Sequence, residues 1–106
     1  MEYCSFEDSE IIDVIDQDES IEIKFKANIG NEKSVEAFLS LVTPKAKKLP
    51  KPGKLTDGEI YGIAGKPLDG KVPFPFVGKG DFEVELSVED KSVTIFCKEI
   101  RFVQTS

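Results

Sequence analysis

"NEKSVEAFLSLV", residues 31–42, is the stretch on which the fold turns. Val35, Phe38, Leu39 and Val42 recur at i, i+3, i+4 and i+7, the apolar stripe of one α-helix of about three turns. Asn31 is placed to cap the first amides, Glu32 to face the positive end of the helix dipole, and Pro44 to stop the helix. The competing reading is a strand through "AFLSLV".

Just upstream, "SIEIKFKANI", residues 20–29, alternates strictly. Ile21, Ile23, Phe25, Ala27 and Ile29 share one face, and Glu22, Lys24, Lys26 and Asn28 the other, the pattern of a strand with one wet side. "EIIDVID" precedes it across the polar residues 17–19, so residues 10–29 read as a β-hairpin. Downstream, residues 43–58 hold three prolines and five lysines. Missing backbone donors and mutual repulsion predict an extended surface connection there; the alternatives are a basic arm for nucleic acid, which lacks interleaved aromatics, and an internal electrostatic partner for the acidic N-terminal face.

"EIYGIA" fits a short strand, residues 66–70 ("KPLDG") a turn, and "DFEVELSV" a second alternating strand with Phe82, Val84, Leu86 and Val88 inward. In "SVTIFCKEIRFV" the inward set Val93, Ile95 and Cys97 is out of phase with Ile100 and Phe102. One extra residue around positions 97–99, a β-bulge, restores the phase. "GKVPFPFVGKG", residues 70–80, carries Pro73 and Pro75 two apart, which removes donors from one edge of a strand. The stretch reads as a sheet border with Phe74 and Phe76 turned to the core.

The 106 residues suffice for a single globular domain with one core, spanning 1–106. A net charge of −6 opposes binding to nucleic acid or to an anionic membrane. Residues 2–22 hold nine acidic side chains and no basic one, so Glu7, Asp8, Glu10, Asp13, Asp16, Asp18 and Glu19 form the candidate docking surface for another protein with a basic surface. The N-terminus has neither the basic start nor the long apolar run of a secretory signal, and no stretch approaches the roughly 18 apolar residues of a membrane span. The expectation is a cytoplasmic protein. Cys4 and Cys97 are too few for a disulfide framework. Cys97 reads as core, and the carboxylates around Cys4 oppose a reactive thiolate there.

Histidine is absent, which excludes Ser-His and Cys-His catalysis and leaves tuned carboxylates, lysines or thiols as the available bases. "DQDES" lacks the glycine and the bidentate glutamate of a calcium loop, with Ile21 and Ala27 in their places. "GIAGKP" fails as a phosphate loop at Ile60 and Pro67. No catalytic residue, cofactor or metal is therefore expected.

Residues 5–29, "SFEDSEIIDVIDQDESIEIKFKANI", resemble the opening of small bacterial immunity proteins that neutralise polymorphic toxins, in which a Phe-x-Asp-Ser-x-Ile signature leads into a first β-hairpin. The resemblance implies a small cytoplasmic α+β binder. Family examples often carry His where Glu7 stands, so no residue role transfers. The expected architecture is α+β, a mainly antiparallel β-sheet of about five or six strands with one helix packed on it. The expected function is a non-enzymatic protein-binding module, an inhibitor or immunity protein using the acidic N-terminal face. The alternatives are a structural or assembly subunit of a phage or accessory complex, and a carboxylate-based enzyme.

Overall fold

The computed structural model describes residues 2–30, 33–45, 48–65 and 70–105. Seven strands follow in chain order: β1 (Glu2–Asp16), β2 (Ser20–Ile29), β3 (Lys33–Val42), β4 (Gly53–Tyr61), β5 (Lys71–Phe74), β6 (Phe76–Val88) and β7 (Lys91–Gln104). The hydrogen-bonded order is β2-β3-β7-β6-β4-β1-β5, and β1 also pairs with β2. Six strands thus close into an antiparallel barrel, with β5 added alongside residues 2–5 of β1. The α+β expectation is overturned: no helix occurs among the described residues, and the sheet has seven strands.

The correction lies at residues 31–42. The segment from Lys33 is strand β3, paired on both edges, to β2 from Ser20↔Val42 to Ile29↔Lys33 and to β7 from Ala37↔Gln104 to Val42↔Glu99. Ala37, Leu39 and Leu41 are fully enclosed, whereas Phe38 and Val42 lie half-buried on the outer face. As a helix this segment would leave the facing edges of β2 and β7 without partners, and unpaired buried backbone groups are costly. Asn31 and Glu32, the expected capping residues, lie outside the described residues, as do positions 66–69 of the expected turn.

Other features follow the alternation. Ile21, Ile23, Phe25, Ala27 and Ile29 of β2 and Phe82, Val84, Leu86 and Val88 of β6 all point inward. The bulge predicted around residues 97–99 of β7 is present in the β6–β7 ladder, but its extra residue is on the other strand. Lys79↔Glu99 and Phe82↔Cys97 set four residues of β6 against three of β7. Gly80, inside that step, has φ +139°, a backbone angle that L side chains rarely adopt. Within the Lys/Pro-rich segment Lys45 forms an isolated bridge with Phe96, residues 48–52 belong to no strand, and β4 begins at Gly53.

The barrel interior is organised by aromatics. Phe6, Phe25 and Phe102 meet edge to face with ring centroids 5.5, 5.8 and 5.9 Å apart, and Phe74 lies 4.8 Å from Phe102. Each such contact contributes about 0.5–1.5 kcal/mol beyond the area it buries. The Pro-Phe repeat divides where the border was expected. Pro73 sits on β5 opposite Tyr3, and Pro75 is exposed between β5 and β6. Phe74 is buried against Phe102, while Phe76 is half-buried against Phe82. Among the described residues β5, which carries Pro73, has β1 as its only ladder partner and lies at a sheet edge, but from Phe76 the stretch belongs to β6 and pairs with β7, so the expected border ends at Phe74.

Candidate functional site

All seven carboxylates of the acidic N-terminal set are exposed. They do not form one compact patch. Nine residues of extended chain separate Glu7 from Asp16, about 30 Å at roughly 3.3 Å per residue. Glu7 and Asp8 lie in the irregular step of β1 between Ser5 and Glu10, where the Ser5 hydroxyl donates to Asp8 Oδ2 at 3.2 Å. Ser9 anchors that step from inside: its hydroxyl donates to the Ser5 carbonyl at 2.7 Å and accepts from the Asn28 amide at 3.0 Å.

Further along β1 the acids meet lysines. Glu10 has Lys26 as its cross-strand partner on β2 and Lys54 on β4, and Asp13 has Lys24. Asp16 and Asp18, at the β1–β2 tip, share a groove with Lys48 of the Lys/Pro-rich connection. The sign of this surface, uniform in the sequence, is diluted by what the register brings beside it.

A second acidic surface carries exposed aromatics and runs to Lys45, the bridge partner of Phe96. On the outer face of the β4–β6–β7 sheet, Tyr61, Glu83 and Phe96 stand in one row as successive cross-strand partners. The next row sets Glu59 opposite Glu85, with Thr94 beyond. Tyr61 is 40% and Phe96 52% exposed, so two aromatic rings flank a carboxylate at the surface. The field is felt at the phenol: Glu85 foremost, then partial desolvation, Glu59, Glu83 and Asp57, hold the Tyr61 pKa above its ordinary value. Beyond Phe96 the sign changes, at a small cleft lined by Lys45, Asp81 and Lys98. There Lys98 pairs with Asp81 and lowers its pKa, chiefly through the hydrogen bond.

The alternation in the sequence assigns Glu83 and Glu85 to a wet strand face and, by placing Ile95 and Cys97 inward, leaves Phe96 outward. An aromatic on that face is the signal that could have found the site. The row itself depends on pairings between residues 13 and 22 positions apart, which only the folded register supplies.

Both cysteines are buried as free thiols. Burial pushes both the Cys4 and the Cys97 thiol up to about 11. For Cys4 the direction is the expected one, but the cause is desolvation, not the neighbouring carboxylates. No group of three or more metal-ligating side chains is gathered among the described residues. No family model, curated protein or solved structure matches the chain.

Proposed function

We propose that the protein is a non-catalytic binding module that docks a partner protein of basic surface onto the Tyr61–Glu83–Phe96 face of the barrel. The row of two exposed aromatics about a carboxylate, backed by Asp57, Glu59 and Glu85, is the observation that carries this reading. Tyr and Phe supply large contact area at low entropic cost and accept lysine or arginine over their rings, and the surrounding carboxylates suit the same cations. The acidic N-terminal residues add long-range attraction from a neighbouring part of the barrel. Among the described residues closure leaves the four-residue, Pro73-bearing β5 as the outermost strand, a poor template for strand addition, so the partner is assigned to a face. An inhibitor or immunity protein is the form of this reading that the resemblance of residues 5–29 implies.

Affinity capture from the native host tests it, run in parallel with wild type, a Tyr61→Ala/Phe96→Ala variant, and a variant with Glu7, Asp8, Asp16, Asp18 and Glu19 made neutral. The aromatic pair should retain the wild-type melt and bind the captured partner at least about tenfold more weakly, since central aromatic anchors each cost more than about 1 kcal/mol when truncated. The charge variant should still capture it. Undiminished binding by the aromatic double variant would refute the assignment.

A further inference from the structure

The barrel end at the β6–β7 turn holds a cleft of about 680 Å³ between that turn and the connection leading into β4. Its floor is apolar: Leu86 and Val88 at the end of β6, Val93 on β7, and Pro50 of the connection. Its rim is cationic, with Lys48 and Lys51 from the connection and Lys91 from the start of β7, against the single carboxylate of Glu89. None of the three lysines has an ion-pair partner among the described residues. In a chain of net charge −6, three ammonium groups about an apolar floor are a local reversal of sign, carried by Lys51 and Lys91 on one side and on the other by Lys48, which also borders the groove of Asp16 and Asp18.

From this geometry we infer a second site, independent of the docking face, that binds a small amphiphile with one anionic head and an unbranched apolar body, such as a medium-chain carboxylate. The volume lies within the roughly 300–1,000 Å³ of small-ligand clefts, which are mostly apolar with a few polar groups that fix orientation. The body packs against Leu49 and Val93, the lining residues with exposed apolar surface, over a floor of Leu86 and Val88. The head stays at the mouth, where the ammonium groups attract it and water still reaches it, so no charge has to be fully desolvated. A cationic or neutral head gains nothing from that rim. Affinity should therefore depend on both chain length and head charge.

Sodium octanoate is the probe, followed by amide shifts in nuclear magnetic resonance, with hexanoate, octanol and octyltrimethylammonium as comparisons. Octanoate should give saturable shifts centred on Lys51, Val88, Lys91 and Val93. Each added methylene should strengthen binding about three- to fourfold, and octanol and the ammonium should bind at least about tenfold more weakly. A Lys48→Gln/Lys51→Gln/Lys91→Gln variant should keep the wild-type melt and octanol response while losing the octanoate preference. Val93→Trp, which fills the cleft, should abolish binding of both. Absence of saturable octanoate shifts, shifts centred elsewhere, or equal binding of octanoate and octanol would overturn the inference.

Discussion

The ring of Phe6 lies directly on Gly58: a Cβ at position 58 would stand 2.6 Å from Cδ2 of Phe6. Phe6 is also the hub of the interior aromatic cluster, edge to face with Phe25 and Phe102. The contact holds β1 against β4, where the ladder that closes the barrel has only Glu10↔Lys54 and Ile11↔Gly53 as paired positions. Gly58→Ala should therefore cost about 1–3 kcal/mol through overpacking. Adding Phe6→Leu should recover part of that loss relative to the sum of the two single changes. Urea denaturation of the four proteins measures both effects, and simple additivity would count against the contact.

The outer and inner faces of β3 predict opposite sensitivities. Leu39 is fully enclosed, so Leu39→Ala should cost about 2–5 kcal/mol. Phe38, which a helical stripe would have buried with it, is half-buried on the outer surface between Lys24 and Val103, and Phe38→Ala should cost distinctly less. Thermal melts in the reverse order would contradict the placing of Leu39 inside the barrel and Phe38 on its outer face.

That segment shows where sequence stops speaking. Residues 20–29 and 82–88 are legible because each has one wet face, so apolar and polar residues alternate without exception. In β3 the outer face carries Phe38 and Val42 beside outward residues of β7, and two apolar residues from each face together mimic a period of 3.6. Barrel closure leaves no local mark, since it rests on β1 meeting β4 some forty residues away. The acidic character of the N-terminus was legible, but the lysines opposite Glu10 and Asp13 were not assignable before the register was known. The Tyr61–Glu83–Phe96 row is hidden for the same reason.

The buried thiols make stability fall at alkaline pH. Cys4 and Cys97 hold their protons up to about 11 in the folded chain, against an ordinary value of 9.0, because burial disfavours the thiolate. The folded state therefore binds more protons than the unfolded state between those values, and stability decreases as pH rises through that window. Below pH 9 the contribution is complete. A Cys4→Ala/Cys97→Ala variant should start from lower stability and show a shallower decline from pH 8.5 to 10.5, with lysines and tyrosines titrating in both proteins. Alkylation at pH 8 should be slow in native protein and fast in urea. Parallel pH profiles for the two proteins would contradict this account.

The two acidic surfaces should separate kinetically. Exposed carboxylates contribute under about 1 kcal/mol per pair to folding, so neutralising the β1 set should leave the melt nearly unchanged, whereas Glu83 and Glu85 are half-buried and their variant is melted beside each rate measurement. Association is more sensitive, because a one-signed field raises encounter rates and loses that advantage as salt screens it. On β1 the lysines opposite Glu10 and Asp13 shorten the reach of the field, whereas Glu59, Glu83 and Glu85 stand together beside the aromatic anchors. Glu83→Gln/Glu85→Gln should therefore slow association with the captured partner more than Glu10→Gln/Asp13→Asn does, and should flatten its salt dependence more. The aromatic pair Tyr61→Ala/Phe96→Ala should act on the other rate, speeding dissociation with little change in encounter. Stopped-flow mixing across a range of salt concentrations measures all three. If the β1 variant shows the larger loss of on-rate at low salt, the partner approaches the N-terminal strand and not the β4–β6–β7 face.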